Sequence, residues 1–428
     1  MWTLTWMIGL LLILLAIRVP VVVALFVPSL LYIALDPGAK WGVAAQQTIS
    51  GVDSFPLLAV PMFILLGNIA NVSGVSDKLF DAATALFGRV RGSLGYVSIA
   101  SSFGFSWMSG AAISDAAALG RVQVPAMTKR GYSSSFATGI TASASLIAPI
   151  LPPSLPAIIY GVVGGVSVGA LFVAGIVPAL VLVTLLTVTV WWMMRKRDDL
   201  RLEPVHGSER WIPVLKALPP MGAAVIVLGG ILGGAFTPTE AAGIGVAYML
   251  VLSAFYRALT WKNIKTMLRS TAETSGVVML IVAASALFGW VLTRERAPQL
   301  VAEAMLSITT NPVVFLLLLN ILLLIVGAFM DVTPAILILV PLIAPMAGDY
   351  GLSPIHLGIV IIFNLLIGLL TPPVGLVLFV LSSVTGVSVQ QVTKGVLPFF
   401  IPLLGALVLI TYFPFLATWL PGLLGMGG

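Results

Sequence analysis

Continuous apolar stretches recur from one end of this 428-residue chain to the other, and no sizeable polar block interrupts them. A helix that crosses a hydrocarbon core needs about 20 such residues. The longest polar stretch runs from Arg195 to about Lys216, too short for a soluble domain. With 59% hydrophobic and 8% charged residues, the chain could not dress a soluble surface. Membrane β-barrels show short alternating segments instead of long apolar runs. The fold class that follows is an all-α polytopic membrane protein, with the lipid bilayer as its solvent.

The net charge of +6 is read as cytoplasmic loop bias and not as a nucleic-acid footprint. The absence of cysteine excludes disulfides, thiolate metal sites and catalytic thiols. Residues 1–17 lack a basic leader and a small-residue cleavage site, so they are expected to stay as a first span. Basic residues gather at Arg18, Arg89 and Arg91, Lys129 and Arg130, across 195–216, and from Arg257 to Arg269. Placing all of them in the cytoplasm requires spans near 3–17, 20–35 and 54–72, a pair at 218–234 and 240–256, and another at 273–293. Both termini are then periplasmic. Arg294 and Arg296 violate the bias locally, softened by Glu295 and Glu303.

Self-similarity organises the rest. Gly131 precedes Pro152-Pro153 as Gly351 precedes Pro372-Pro373, and each proline pair is followed by Gly-Val-Ser-Val, at 165–168 and 386–389. Pro178 and Pro398 close the two units, an offset of 220 residues with one slip. Five full crossings per half make the repeat inverted, an arrangement that secondary transporters build around discontinuous helices.

Those discontinuities are visible. Leu151-Pro152-Pro153-Ser154 and Thr371-Pro372-Pro373-Val374 sit inside apolar segments. Each pair removes backbone donors and splits its segment, giving broken helices at 131–164 and 351–385. Carbonyls freed there must be buried in protein or line a wet cavity, where they suit a hard cation such as Na⁺. A kink that serves packing is the alternative. Before each broken helix comes a stretch too long for one span and too short for two. These are expected to be re-entrant hairpins, 92–130 with its tip near Ser109-Gly110 and 312–350 with its tip over 327–334.

Asp115 and Asp331 fall just past the two tips, where a carboxylate can cap free amides or take part in cation coordination. Ser98, Ser102, Ser106 and Ser109 form a stripe that small-residue helix packing would also explain. The candidate cation and substrate residues are Ser106, Ser109, Gly110, Ser114, Asp115, Pro152, Pro153 and Ser154 in the first half. In the second half they are Gly327, Asp331, Thr333, Asn364, Thr371, Pro372 and Pro373. No Lys or Arg falls at the expected midplane, so an anionic substrate would be held by half-helix N-termini, hydroxyls and bound cations.

Enzymatic classes find little support. His206 lies in the polar loop and His356 near the outer surface, so neither reaches a serine at a hairpin tip, and no phosphate-binding glycine loop is present. Catalytic residues, metal clusters and cofactors are not expected. An intramembrane hydrolase or a channel fits these features less well than a carrier.

The motifs resemble those of the large membrane subunit of TRAP transporters (tripartite ATP-independent periplasmic, DctM type), over almost the whole chain. The resemblance rests on Ser109-Gly110 with Asp115–Gly120, Pro125-Ala126-Met127, Arg130-Gly131-Tyr132, Pro152-Pro153-Ser154 with Ile159-Tyr160-Gly161, and Leu171-Phe172 with Gly175–Pro178. It continues at Pro238–Ala242, Gly327 to Asp331, His356-Leu357-Gly358, Asn364 and Gly368–Gly375. At Gly110-Ala111-Ala112 many relatives have another serine.

This resemblance implies an elevator-type transporter of the ion-transporter superfamily in the bacterial inner membrane. It implies Na⁺ as coupling ion, a small four-span membrane subunit, a periplasmic substrate-binding protein and uptake of a small organic acid such as a C4-dicarboxylate or sialic acid. A related carrier working without a binding protein is the alternative. The transport domain would comprise 92–165 and 312–385. Scaffold spans would be 1–75, 166–256 with the loop 195–216, 273–311 with its outer connector, and a terminal span at 386–428. Amphipathic arms at 76–91 and 257–272 would brace the two.

Overall fold

The computed structural model describes residues 2–197, 200 and 211–426, and every regular element among them is helical. Helices α1 (Trp2–Ala16) and α2 (Val21–Leu35) pack as a pair. A short helix α3 (Trp41–Val52) follows, and after a 3-10 turn at Phe55–Leu58 comes α4 (Ala59–Val72). Helix α5 (Val75–Phe87) leads to a first hairpin, α6 (Ser93–Ser109) and α7 (Ala112–Thr128). The first broken helix is α8 (Ser134–Ser145) and α9 (Leu155–Gly164), and α10 (Val168–Met194) ends the half.

The second half opens with α11 (Trp211–Leu232), α12 (Pro238–Phe255), α13 (Trp261–Arg294) and α14 (Ala297–Ile308). Its hairpin is α15 (Pro312–Phe329) and α16 (Val332–Ile343), the latter prolonged by a 3-10 turn at Ala344–Ala347. Helices α17 (Pro354–Gly368) and α18 (Leu376–Thr385) form the second broken helix. Helix α19 (Val389–Val396), a turn at Leu397–Phe399, α20 (Phe400–Tyr412) and α21 (Phe415–Leu423) complete the chain. Seven of these helical stretches are long and apolar enough to span a bilayer, which makes the chain a multi-pass membrane protein.

The 220-residue register maps element onto element. Adding 220 to the first residues of α7 and α8 lands on Val332 and Pro354, the first residues of α16 and α17; α6 and α9 land within one residue of α15 and α18. Both proline pairs are joined by cis peptides. The same register carries Trp41 of α3 onto Trp261 of α13, and this corrects the expected arms. Segment 257–272 is not separate from the span at 273–293: α13 is one helix of 34 residues. Its opening turns correspond to α3, which falls inside the expected scaffold segment 1–75, while α5, which covers most of the expected arm 76–91, corresponds to α14. The reason is local. Pro56 interrupts the first half between α3 and α4, whereas the second half has Gly276 at the matching position and runs on without a break.

The two halves cross reciprocally. Gly51 of α3 packs against Ala286 of α13, and Asn68 of α4 donates to Thr271 Oγ1 of α13 at 2.9 Å. At the far end of α13, Arg294 pairs with Asp36 (Nη2 to Oδ2, 2.9 Å), and Tyr32 donates to Glu295 at 2.7 Å. Asp36 thus joins Glu295 around Arg294, since the Tyr32 hydroxyl accepts from Arg294 Nε at 3.2 Å while it donates to Glu295. The Gly38 amide, and after it the Arg294 guanidinium, hold the Asp36 carboxyl below its usual range.

Two groupings differ from expectation. Helix α10 packs on α6, α9, α17, α20 and α21, and α19 packs on α8. Segments 166–194 and 386–428, expected among the scaffold spans, thus lie against the hairpins and broken helices. Glycines permit the approach: Gly175 of α10 meets the Ile150 carbonyl, and Gly139 of α8 meets Gly395 of α19 backbone to backbone. The expected single terminal span is three helices, with prolines at 398 and 414 between them. Helix α11 already begins at Trp211, so 211–216 is helical and not loop; residues 198, 199 and 201–210, with His206, lie outside the described residues.

Candidate transport site

Each hairpin tip rests on a helix break. Gly110 caps α6 with φ at 61°, a left-handed conformation that favours glycine, and its carbonyl accepts from the Leu155 amide at 3.3 Å. A methyl group there would collide with the Pro153 carbonyl. In the second half, Gly327 of α15 crosses Gly368 of α17: a methyl on Gly327 would stand 3.1 Å from the Gly368 Cα and from the Leu365 carbonyl. Close backbone approach through glycine thus places both tips beside both breaks.

Between them opens a cavity of about 780 Å³, a size suited to a small ligand. Its walls come from the first tip (Ser109 to Ser114), the second tip (Asp331 to Thr333), the first break (Pro149, Leu155, Pro156) and the second broken helix (Leu366, Leu369). The facing wall belongs to α4, α5 and α13. Hairpins and broken helices form one side and the flanking helices the other.

The candidate residues divide by where their polar atoms go. Ser109, Ser114, Asp331 and Thr333 line the cavity. Asp331 caps α16, accepting from the Val332 amide at 2.7 Å. Asp115 does not cap: position Ala111 holds that place without a side-chain bond, and both Asp115 carboxylate oxygens are buried without a hydrogen bond. The Ser109 and Ser102 hydroxyls are buried and unbonded as well. A sequestered carboxylate with such hydroxyls on one hairpin is a hard-oxygen set of the kind an alkali cation takes; no cluster of three His, Cys, Asp or Glu residues exists among the described residues.

Other candidates spend their polar atoms internally. Ser106 bonds the Ser102 and Phe103 carbonyls of its own helix at 2.8 Å each. Ser154 caps α9 through the Ala157 amide and donates to the Pro149 carbonyl across the break. Thr371 bonds back to Ile367 at 2.9 Å. Asn364 ties α17 to α15 through Asn320, at 3.0 Å to its carbonyl and 2.7 Å to its side chain. Pro152, Pro153, Pro372 and Pro373 form the breaks behind the lining. His356 is buried, with Nε2 2.9 Å from the Ile410 carbonyl, away from this cavity.

The cavity also holds residues that the sequence pattern did not single out. Arg121 of α7 lines it, together with Asn68, Asn71 and Asp77. So do Thr266, Ser270 and Thr274 of α13. Arg121 lies nine residues along α7 from its start and adds a fixed positive side chain to the cavity wall. The four-residue spacing of Thr266, Ser270 and Thr274 was legible as one helical face, but its direction was not.

Comparison with known proteins bears on the same architecture. The family model described as "Tripartite ATP-independent periplasmic transporter, DctM component" matches residues 8–416. The chain belongs to the DctM family. Among its relatives, the sialic acid TRAP transporter large permease protein SiaM of Vibrio cholerae is 40% identical, the match covering 95% of this chain and 96% of that one. The C4-dicarboxylate TRAP transporter large permease protein DctM of Rhodobacter capsulatus is 33% identical over 98% of both. The isethionate TRAP transporter permease protein DctMQ of Oleidesulfovibrio alaskensis is 35% identical, matching 95% of this chain and 65% of the relative. The crystal structure of the Alcanivorax borkumensis YdaH transporter shares the fold, with a TM-score of 0.61 at 16% identity over 95% of this chain and 98% of that one. As a DctM-family permease, the chain is a transporter component and not an enzyme.

Proposed function

We propose that this DctM-family chain carries a small organic acid into the cell across the bacterial inner membrane, driven by Na⁺ and moving as an elevator. The observation that carries the reading is the cavity itself. It lies where both hairpin tips and both helix breaks meet, and its opposite wall is made of separate helices. A body containing α6–α10 and α15–α21 can then shift the site past α1–α5 and α11–α14, exposing it to each side in turn.

Cation and substrate use the same region. Asp115, Ser102 and Ser109 would hold Na⁺ through oxygens that have no other partner. Ser114, Thr333 and the half-helix N-termini at 112 and 332 would meet the substrate. Ion binding at the tip neutralises the buried carboxylate before an anion approaches, which couples the two. The relatives' names include sialic acid, a C4-dicarboxylate and isethionate, all acids; uptake of this class suits the same site. Delivery by a periplasmic binding protein and partnership with a small four-span subunit follow the tripartite description of the family.

The test is uptake of labelled acids into proteoliposomes holding the chain with its small subunit, with and without the binding protein and an inward Na⁺ gradient. Uptake requiring both supports the reading. Uptake indifferent to Na⁺, or a steady ion current without solute, overturns it, and uptake without any binding protein points to the simpler carrier.

A further inference from the structure

Arg121 is the one basic residue lining the cavity among the described residues. It lies on α7 with Ser114, Ala117 and Ala118 on the same cavity-lining face. From the start of α7 it is nine residues along, or about 13 Å, on the way from the hairpin tip to the helix end at Thr128. The side chain is exposed to the cavity, and among the described residues it makes no hydrogen bond or ion pair. Asp77 lines the same cavity but forms no ion pair with it. A guanidinium on the cavity-lining face of a hairpin helix, unpaired with the Asp77 carboxylate that lines the same cavity, is a costly feature for structure alone.

The wall opposite is equally polar. Thr266, Ser270 and Thr274 succeed one another by single turns on α13. The Asn71 Oδ1 atom, also on the lining helix α4, is buried without a hydrogen bond. Together these make a track from the tips toward the end of the hairpin that leads out of the site, with small side chains on one wall, hydroxyls on the other and one fixed cation along it.

We propose that Arg121 is an anion-binding residue of an exit subsite, taking the carboxylate or sulfonate of the substrate as it leaves the hairpin tips toward the inner face. The inference rests on the organic-acid reading above. The guanidinium offers two parallel N–H donors that match a planar acid group, while Thr274 and Asn71 meet the polar remainder of the molecule. Placed beyond the tip, Arg121 lowers the cost of leaving the cation-assisted site and favours acids over neutral solutes of the same size.

The absence of cysteine makes a clean test possible. Arg121→Gln and Arg121→Cys are reconstituted with the partner subunits, and exchange is followed with succinate, N-acetylneuraminate and isethionate, using whichever the unmodified transporter carries. The half-saturating concentration at the inner face should rise roughly 10- to 100-fold, the range for a lost hydrogen bond to a charged group. The outer-face value should change little. A cationic thiol reagent on Arg121→Cys should restore inner-face affinity, and an anionic one should not. An unchanged inner-face value in a transporting Arg121→Gln protein, or equal rescue by both reagents, overturns the subsite and leaves the transport reading standing. Failure of the unmodified transporter to carry any of these acids overturns both.

Discussion

The crossing of α15 and α17 offers a test in which two nearly identical substitutions should behave differently. A methyl at Gly368 would lie 2.5 Å from the Gly327 Cα and 2.6 Å from its carbonyl oxygen. Comfortable carbon contacts begin at about 3.5 Å, so Gly368→Ala must push the helices apart by about 1 Å. A methyl at Gly327 meets nothing closer than 3.1 Å, and a shift of a few tenths of an ångström accommodates it. Overpacking of the first kind costs about 1–3 kcal/mol. It also acts three residues before Thr371 and at the root of the tip that carries Asp331. A 1 Å displacement of positioned groups can cost about 100-fold in rate. Gly368→Ala should therefore lower the thermal unfolding midpoint by several degrees and cut maximal transport by one to two orders of magnitude. Gly327→Ala should remain within about threefold of the parent. Uptake in proteoliposomes and thermal unfolding in detergent measure both. A transport-competent, stable Gly368→Ala, or a Gly327→Ala that is the more damaged, would refute the claim that this contact positions the tip.

Three further outcomes are expected. Asp115→Asn, at the first hairpin, should weaken the Na⁺ dependence of uptake by about tenfold, as loss of one charged oxygen ligand implies, and Thr371→Val should do less because its hydroxyl is spent on Ile367; equal Na⁺ titrations in parent and Asp115→Asn would exclude Asp115 from the site. Gln123→Leu removes a buried hub that accepts from Ser98 at 2.6 Å and Thr141 at 2.9 Å and donates to Ser101 at 2.8 Å. It should cost about 1–3 kcal/mol, read as a lower unfolding midpoint with ion dependence intact. Finally, Lys129→Cys and Asp349→Cys mark equivalent exposed ends of the two hairpins; an impermeant thiol reagent should label the first from inside the cell and the second from outside, and labelling from one side alone would contradict the inverted repeat.

Much of the architecture was legible because its causes are local. Apolar length marks a span, a proline pair breaks a helix wherever it occurs, and a shared spacing of glycines and prolines reveals a repeat without reference to the fold. The hairpin boundaries 92–130 and 312–350 followed from lengths that fit neither one span nor two. Amphipathic α3 escaped notice because twelve residues with Gln46, Gln47 and Thr48 fall short of any span criterion, although its counterpart at the start of α13 was visible from its lysines.

What only tertiary structure decided is where each polar atom points and which helices pack together. Ser106 and Ser109 are the same residue type one turn apart, yet one bonds its own helix and the other faces the cavity. Arg121 is an ordinary basic residue until α4, α5 and α13 close a wall in front of it. The grouping of α10 and α19 with the broken helices depends on glycine contacts between segments, Gly175 on Ile150 and Gly395 on Gly139. By itself, the order of residues determined a membrane protein of two inverted halves with paired breaks, since backbone hydrogen bonding and hydrophobic length act within each segment. The cavity, the guanidinium on its wall and the two sets of helices that enclose it arise from contacts between segments, and those exist only once the halves have packed together.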